Sequence, residues 1–394
     1  MQEVLKGIKV LDFGRYIAGP YTATLLGDFG AEVIRVERVR GSEDRYTSPL
    51  TDKGEGALWM QVGRNKKSLT LNPLKPEGRE IAHKLVATAD VISVNLPEES
   101  LHQMGLDYET LCSVKPDIIL SLATTFGTTG PYAGRLGFDS VGQAMSGAMH
   151  LTGDADEPMR SMATYADFGT ALANAFGIMM ALRERDRSGR GQVVESNLLT
   201  TALTFINSML IEQGITAPDR VAQGNRSQLC GPGDVFKTQD GWVFAMVIGD
   251  PLFRRWVELM GEPEWLDDPR FGSDQSRGDN GAILSERTAR WCAGRTTQEV
   301  IDLLEAARIP AAPVLTPQQA LDDPHVREAR ILRDQDYPGL PKPAKVAEPV
   351  VRLSRTPGEL RDRPPLLGEH TDQILESLGY QPEQIADLRE KRIV

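Results

Sequence analysis

The apolar and polar positions up to about residue 125 alternate between short apolar runs and segments with helical spacing. Strands are predicted at residues 8–13, 31–37, 90–95 and 117–122, and helices at residues 20–29 and 76–89. Pro20 and Pro76 stand where they open the two helices, and Gly30 ends the first. Strands that alternate with helices favour a parallel sheet covered on both faces, so we expect a Rossmann-like α/β fold.

The strongest predicted helix covers residues 166–185 and follows a segment rich in Gly, Thr and Pro at residues 126–165. Such a segment is typical of a long loop at the carboxyl ends of strands, where open α/β sheets bind ligands. The apolar positions of the helix lie three and four residues apart: Phe168, Ala171, Leu172, Ala175, Met179 and Leu182. Gly189 ends it, and a strand at 192–196 and a second apolar helix at 197–213 follow. Helices this apolar indicate a core or a subunit interface.

The 394 residues are too many for one core of ordinary size, so we expect more than one domain. Apolar periodicity is lost at residues 214–228, which we interpret as a linker between a large domain at 1–213 and a small α/β domain at 229–320. Residues 321–394 are Pro-rich and irregular until the last helices. Because this tail buries little by itself, it is expected to return to the large domain.

The composition disfavours several classes of protein. With 40% hydrophobic and 25% charged residues, and no apolar run of the roughly 18 residues that a membrane helix needs, the chain is expected to be soluble. A net charge of -11 disfavours nucleic acid as a partner. The three cysteines are far apart and no secretory leader is evident, so a reducing cytoplasm is expected. One basic cluster suits a small anion such as a nucleotide, unless it is solvated charge: Arg35, Arg38, Arg40, Arg45, Arg64, Lys66 and Lys67.

Asp167 is the first candidate for chemistry, because it lies at the entrance to the helix at 166–185. Free backbone N–H groups and the helix dipole at that point would keep a carboxylate ionised, as a nucleophile requires. A plain helix-capping role is the alternative.

Cys230 has no histidine partner and is expected to be a small buried residue. Gly231 and Gly233 bracket Pro232 in a tight loop.

Other catalytic templates are missing from the sequence. The five histidines lack metal-binding spacing, so no metal is predicted. No nucleophile elbow, phosphate loop or dinucleotide fingerprint occurs; the glycines of GRYIAGP have the wrong spacing. The motifs that usually indicate hydride or phosphoryl transfer are therefore missing from the sequence.

Eight motifs in collinear order resemble the class III coenzyme A transferases, the family of formyl-CoA and carnitine CoA transferases. They are LKGIKVLDFGRYIAGPYTATLLGDFGAEVIRVER, RNKKSLTLN with PEGRE, ADVISVN with MGLDYETL, GTTGPYAGRLGFDSVGQAMSGAMHLTG, ADFGTALANAFGIMMALRERDRSGRGQVVESNLL, DGWVF, DDPRF and LLGEHTDQIL. The resemblance implies an interlocked, ring-like homodimer. It also implies a Rossmann-like large domain built from both chain ends, with a small α/β domain between them.

The resemblance also assigns roles. Asp167 would attack an acyl-CoA thioester to give an anhydride, from which CoA forms an aspartyl-CoA thioester that a free acid then converts to product. No prosthetic group is implied, since CoA is a substrate. The positions that match CoA-binding residues are Arg38 and Lys67 for phosphates, and Asn95, Leu96 and Met104 for the adenine and pantetheine path. Those that match the acyl pocket are Ile17, Phe138, Asp139, Gly231 and Gly233.

Three departures from the family pattern bear on specificity. Glu43 stands within GSED, where the family more often has glycine and aspartate. Ile17 replaces the glutamine of formyl-CoA transferase, so a formyl or oxalate preference is not supported. Phe138 replaces the histidine of the related α-methylacyl-CoA racemases; since phenylalanine accepts no proton, a two-base racemase is disfavoured.

The expected function is CoA transfer from an acyl-CoA to a small organic acid. An intramolecular transferase, isomerase or racemase on the same fold stays open, as does a noncatalytic nucleotide-binding scaffold. The sequence does not name the acyl donor or the acceptor.

Overall fold

A computed structural model describes residues 3–394 and divides them into two compact units. The first unit holds the described residues up to 146, residues 161–210 and residues 324–394. The second holds residues 147–160 and 211–323. The candidate nucleophile Asp167 therefore belongs to the first unit, and Gly231 and Gly233 belong to the second.

The strands of the described chain are short, as buried strands usually are. They are β1 (Lys9–Asp12), β2 (Glu32–Glu37), β3 (Lys66–Thr70), β4 (Val91–Val94), β5 (Ile119–Thr124), β6 (Gly153–Asp154), β7 (Glu157–Pro158), β8 (Val193–Asn197), β9 (Gly233–Lys237), β10 (Trp242–Met246), β11 (Ala311–Pro313), β12 (Leu332–Gln335) and β13 (Ala344–Ala347).

The helices connect and cover these strands. They are α1 (Ala18–Asp28), α2 (Ala57–Val62), α3 (Pro76–Val86), α4 (Glu98–Met104), α5 (Tyr108–Val114), α6 (Asp139–Met145), α7 (Tyr165–Ser188), α8 (Leu198–Phe205), α9 (Asn207–Thr216), α10 (Asp250–Met260), α11 (Asp274–Asp279), α12 (Gly281–Ala293), α13 (Thr297–Ala306), α14 (Pro317–Asp322), α15 (Pro324–Glu328), α16 (Thr371–Ser377) and α17 (Pro382–Glu390).

The first unit is built on a six-stranded sheet in the order β3-β2-β1-β4-β5-β8, and every neighbouring pair is parallel. The prediction of an α/β fold with a parallel central sheet is confirmed. Strand order reverses between β1 and β4, so the carboxyl ends of these two strands form the switch point at which such sheets bind ligands.

Alternate residues of the central strands feed two apolar clusters, one on each face of the sheet. Leu11, Ile34, Ile92 and Leu120 point to one cluster, which also receives apolar residues of α3, α5, α16 and α17. Val10, Val33, Val91 and Ile119 point to the other, which α1 and α7 cover. Burial on both faces explains why these strands are apolar runs in the sequence.

Helix α7 is apolar on two sides rather than one. Ala171, Ile178 and Leu182 are buried, as expected of a helix that packs on a sheet. Leu172 has the same helical spacing, but it is 42% exposed and forms an outward stripe with Phe176 and Met180. The sequence pattern could not separate these two sides because both are apolar.

The predicted helix at 197–213 is also different in the structure. It is two helices, α8 and α9, with a break at Ile206, and α9 buries none of its residues. Its apolar side chains Ile211 and Ile215 are exposed. Of the expected burial, the described chain provides only that of Leu198, Thr201 and Ala202 on α8, and a subunit interface over α9 stays a prediction.

The second unit has its own core around a three-stranded antiparallel sheet in the order β11-β10-β9. Phe236 and Val243 of this sheet pack with aromatic residues of the helices, among them Phe253, Trp256 and Trp291. Among the described residues of the whole chain, no helix is long and apolar enough to cross a membrane.

Candidate active site

The carboxyl edge of the large sheet collects most of the residues that the sequence singled out. Ile17 precedes α1 in the loop after β1, Arg38 follows β2, and Asn95 follows β4. Asp167 lies in the first turn of α7, and this end of α7 is near the carboxyl ends of β5 and β8. The Ser196 hydroxyl, near the end of β8, donates to the Thr170 carbonyl oxygen at 3.3 Å. The topology therefore brings these four positions to one edge.

Asp139 caps helix α7. Its Oδ1 accepts hydrogen bonds from the backbone N–H groups of Ala166 at 2.8 Å and Asp167 at 3.1 Å. Thr164, which occupies the local cap position, makes no capping hydrogen bond with its side chain. The sequence analysis expected Asp167 to be held by these free N–H groups, and that expectation is wrong because Asp139, 28 positions earlier, accepts from them.

The surroundings of Asp167 consequently disfavour the ionised form of its carboxyl group. It is partly buried, and none of the hydrogen bonds found in the described residues reaches its carboxylate oxygens. Burial, with a further contribution from the neighbouring Asp139 carboxylate, raises the pKa of Asp167 to about 7. The sequence analysis expected the helix to keep this group ionised; the structure gives the opposite direction. A carboxylate with a raised pKa is more nucleophilic when it is ionised.

The position of Asp167 is fixed by close packing of α7. An added Cβ at Gly169 would lie 2.7 Å from Cγ2 of Thr201 on α8, so only glycine lets the two helices approach this closely. One turn of α7 is also tied to α8 by the hydroxyls of Thr170 and Thr201, which are 2.8 Å apart. On the other side, the ring of Phe168 meets the edge of Tyr21 on α1, with centroids 4.9 Å apart. The first turns of the helix are held from two directions.

The predicted acyl-pocket residues of the first unit come together beside α6. Phe138 is 62% exposed and its ring meets Tyr16 edge-on, with ring centroids 5.3 Å apart. Ile17 is buried next to Tyr16 in the chain. Tyr16 has φ +57°, a left-handed conformation that non-glycine residues rarely adopt and that often marks functional sites. The sequence analysis missed Tyr16, for which GRYIAGP gave no signal.

Arg38, which was predicted to bind a phosphate, is paired with a carboxylate in the structure. The guanidinium is largely exposed, and its Nη1 lies 2.5 Å from Oε1 of Glu43. Glu43 is the residue that departs from the family pattern, and its other carboxylate oxygen lies 4.0 Å from Nε of Arg15. A negatively charged side chain therefore stands between two cations at this edge of the sheet.

Asn95 braces the loop after β1 rather than pointing freely at a ligand. Its Oδ1 accepts from the Arg15 N–H at 2.6 Å, and its Nδ2 donates to the Arg15 carbonyl oxygen at 2.7 Å. Leu96 packs against the apolar cluster that contains Met104, which is 8% exposed. Only small parts of these two side chains reach the surface.

Arg15 is a second residue that the sequence analysis missed. Its Nη1 donates to the carbonyl oxygens of Phe13 at 3.0 Å and Gly14 at 2.8 Å, while its buried Nε has no hydrogen-bond partner. Burial, together with repulsion from Arg35, lowers the pKa of Arg15 to about 10. It is a cation held at the switch point with its buried Nε donor unpaired.

The basic cluster predicted for a nucleotide is mostly structural. Four of its seven members are buried and paired with acids inside the first unit: Arg35 with Asp12 and Asp44, Arg45 with Glu37, Arg64 with Asp28, and Lys66 with Asp12. Such pairs are needed because all four side chains lie in the interior, Arg35 on β2 and Lys66 on β3, where an unpaired charge is costly. They are not available to bind an anion.

Lys67 is not brought together with Arg38. In the parallel register Lys67 stands opposite Ile34, and its Nζ lies 2.7 Å from Oε1 of Glu32, the first residue of β2. Arg38 instead follows the last residue of that strand. Lys67 therefore lies toward the amino edge of the sheet, where it lines a cavity of about 550 Å³ with Arg361.

Gly231 and Gly233 belong to the second unit. An added Cβ at Gly231 would lie 2.9 Å from the Arg277 carbonyl oxygen, so the backbone here passes too close for a side chain. Gly233 begins β9. Within the described residues, no group of His, Cys, Asp and Glu is arranged to hold a metal ion.

Comparisons with known proteins identify the family of the chain. The family model for CoA-transferase family III matches residues 5–371. The chain is 34% identical to a succinyl-CoA–D-citramalate CoA-transferase of Chloroflexus aurantiacus, over 99% of this chain and 98% of that protein. It is 32% identical to a succinyl-CoA:glutarate CoA-transferase of Mus musculus, over 98% of this chain and 88% of that protein.

Solved structures point the same way. The crystal structure of a CAIB/BAIF family protein from Brucella suis is similar with a TM-score of 0.82 and 30% sequence identity, covering 96% of this chain and 100% of that one. Fold, motifs and full-length matches thus agree, and the resemblance predicted from the motifs is confirmed. The chain belongs to CoA-transferase family III and is a CoA-transferase.

Proposed function

We propose that the protein moves coenzyme A from an acyl-CoA to a free carboxylic acid through a covalent intermediate on Asp167. The observation that carries this proposal is a partly buried carboxylate with a pKa of about 7 and no stabilising partner, in the first turn of α7. The buried carboxylates of Asp12, Glu37 and Asp28 are each paired with a cation. An unpaired one at the ligand-binding edge of the sheet is a candidate for chemistry.

The steps follow from carboxylate and thioester chemistry. An oxygen of ionised Asp167 attacks the thioester carbonyl carbon, the C–S bond breaks, and an acyl-aspartyl anhydride and CoA thiolate result. The thiolate then attacks the Asp167 carbonyl carbon, which releases the donor acid and leaves aspartyl-CoA. The acceptor carboxylate repeats both steps in reverse order. Each thioester is exchanged for another, so the stable states have similar energies.

The first turn of α7 does not supply the oxyanion donors that a helix start often offers. The N–H groups of Ala166 and Asp167 are engaged by Asp139, and that of Phe168 donates to the Thr164 carbonyl oxygen at 3.1 Å. We infer that these N–H groups hold the helix in place. The donors for the oxyanion have to come from other groups.

The CoA path is proposed along the carboxyl ends of β1, β2 and β4. Arg38 contacts a phosphate of CoA once its ion pair with Glu43 opens. Asn95 and Leu96 flank the nucleotide, and Met104 lies behind them. Lys67 has no part in this path, because it lies at the other edge. The relatives named above use succinyl-CoA, so we propose a dicarboxyl-CoA donor and a small organic acid as acceptor.

The active form is proposed to be the interlocked homodimer of the family. Leu172, Phe176 and Met180 are 42%, 67% and 51% exposed and lie four residues apart on α7. An apolar stripe of this kind is costly in water and is typical of a protein interface. A second copy of the chain is the proposed cover for it.

Trapping of the intermediate tests the proposal. The protein is incubated with succinyl-CoA, quenched with hydroxylamine or borohydride, and digested for mass spectrometry. We expect a hydroxamate, or the reduced alcohol, at Asp167, and we expect turnover to require an added acid. Asp186→Asn, an exposed aspartate on the same helix, is the matched control and should behave as the wild type. Full activity in Asp167→Ala would overturn the proposal.

A further inference from the structure

Gln143 is a buried glutamine in α6 whose amide is fully used. The side chain is 1% exposed. Its Nε2 donates to Oδ2 of Asp139, one turn earlier in the helix, and to the Ala163 carbonyl oxygen at 3.4 Å. Its Oε1 accepts from the Ser161 N–H at 2.9 Å. One amide therefore joins the capping carboxylate to the segment that leads into α7.

This connection has a consequence for the helix that carries Asp167. Asp139 accepts with both oxygens, one from Gln143 and the other from the first N–H groups of α7. A carboxylate that accepts hydrogen bonds with both oxygens is held in one orientation. If the Gln143 donor were absent, Oδ2 would be a buried acceptor with no partner, which favours rotation of Asp139 away from α7.

We propose that Gln143 is a positioning residue for the CoA transfer: it holds the Asp139 carboxylate on the start of α7, and through Asp139 it sets the position of Asp167. This inference rests on the proposed function. Gln143 itself touches neither Asp167 nor the reacting atoms. It acts through Asp139 and through the backbone of Ser161 and Ala163.

Asp139 is the charged group that acts on Asp167 from the elements packed around α7. Helix α1 carries Tyr21, whose ring meets Phe168, and ends at Asp28, which is bound by Arg64 at 2.7 Å. Strand β8 presents Glu195, which accepts from Thr128. Strand β5 and helix α8 carry no ionisable side chain. Burial and Asp139 are accordingly the causes that raise the pKa of Asp167.

The first test uses Gln143→Met in the full-length protein, with Gln335→Met as the matched control. Gln335 is another buried glutamine of the first unit, and its Nε2 donates to the Asp362 carbonyl oxygen rather than to the site. For Gln143→Met we expect kcat/KM to fall by about 10- to 100-fold. We also expect the acidic limb of its pH profile to move down by about one pH unit, because loss of a neighbouring negative charge lowers the pKa of Asp167.

Asp139→Asn and the double variant test whether Gln143 acts through Asp139. Asp139→Asn should move the acidic limb in the same direction, and Gln143→Met added to it should move the limb no further. A merely structural Gln143 would lower the thermal midpoint, as Gln335→Met does, and leave the pH profile unchanged. That result, with a folded protein, overturns the inference.

Gln143→Glu keeps the test decisive if the methionine variant does not fold. The carboxylic acid introduced at position 143 can donate to Asp139, as the glutamine does, only while it is protonated. Activity relative to the wild type should therefore be best retained at low pH and lost as pH rises. A constant ratio across the pH range contradicts the inference. Trapping separates the two proposals: a wild type without an Asp167 adduct defeats the function, whereas normal adducts with unmoved pH profiles defeat only the role of Gln143.

Discussion

Two groups of buried carboxylates in the first unit are built in opposite ways. The first, which we call the charge cluster, balances three acids with three bases: Asp12, Glu37 and Asp44 with Arg35, Arg45 and Lys66. Its ion-pair distances run from 2.6 to 3.1 Å, and each of the six residues is at most 4% exposed. The second group is Asp139 and Asp167, two like charges with no cation bound between them in the described residues.

The pKa values of Asp12 and Glu37 in the charge cluster differ accordingly from that of Asp167, whereas burial raises the pKa of Asp44 although Arg35 opposes this. Burial alone would raise the pKa of Asp12, but Arg35 and Lys66 outweigh it and lower that pKa. The same holds for Glu37, where burial is outweighed by the hydrogen bond and charge of Arg45. For Asp167, burial and the Asp139 charge act in the same direction and raise the pKa to about 7. Paired carboxylates hold the sheet together, and the unpaired one is left able to react.

The largest effect is expected from removing the reactive member of the pair. Asp167→Ala should lower kcat by at least about 10³-fold, because the nucleophile that forms the covalent intermediate is lost. Steady-state kinetics with succinyl-CoA and an added acid measure this. Circular dichroism and the oligomeric state should stay those of the wild type, which separates lost chemistry from lost folding. A kcat within tenfold of the wild type would contradict the account.

Breaking the charge cluster should damage the fold instead. Arg35→Met leaves Asp12 and Asp44 without their shared guanidinium. Loss of one partner from a buried ion network costs about 3–5 kcal/mol in the free energy of unfolding. Chemical denaturation measures this, with Arg187→Met as control, since Arg187 pairs with Glu184 on the surface and its loss should leave stability unchanged. Equal stability of the two variants would show that the cluster is not structural.

The dependence of stability on pH should also reveal the unpaired Asp167. The folded-state pKa of Asp167 is about 7 against an ordinary value of 3.8, so the folded protein holds this proton more tightly than the unfolded chain. Stability is therefore lost as pH rises from about 4 to 7, and the full cost is present above 7.

Asp167→Asn removes that cost. At pH 8 the variant should be more stable than the wild type by roughly 1–3 kcal/mol, a value discounted for the partial exposure of the group, and the difference should vanish near pH 4. Denaturant titrations at the two pH values measure it. A variant that is less stable than the wild type at pH 8 would contradict the account.

The smallest effects are expected from surface ion pairs that belong to neither group. Arg38→Ala should raise KM for the acyl-CoA by about 5- to 10-fold through loss of a phosphate contact, with kcat little changed. Lys67→Ala should change KM by less than about twofold, because Lys67 faces the opposite edge of the sheet and pairs with Glu32. If Lys67→Ala has the larger effect on KM, the proposed CoA path is wrong.

Much of the fold could be predicted from the sequence. The strand expected at 8–13 is Lys9–Asp12, the helix expected at 76–89 is Pro76–Val86, and Gly189 ends α7 in a left-handed conformation as its position predicted. These features are determined locally, by apolar runs, a proline at a helix start and a glycine at a helix end.

Features that depend on distant residues could not be predicted. The capping of α7 by Asp139 joins residues 28 positions apart, and nothing in ADFGTALA reveals that its N–H groups are occupied. The pKa of Asp167 follows from that contact and from burial, so its direction was missed as well. Helical spacing likewise identified the apolar positions of α7 but not which of them face outward, as Leu172 does.

Oxygen exchange between the acceptor acid and Asp167 tests the central claim most directly. The protein is incubated through many turnovers with an unlabelled acyl-CoA and an acceptor acid whose carboxylate carries ¹⁸O. The mass of the peptide that contains Asp167 is then measured by mass spectrometry. In the second half of the reaction, an oxygen of the acceptor bonds to the Asp167 carbonyl carbon as the C–S bond to CoA breaks, and this oxygen stays on Asp167. The account therefore predicts ¹⁸O in the carboxyl group of Asp167 and nowhere else in the chain. Sustained turnover with an unlabelled Asp167 would contradict it.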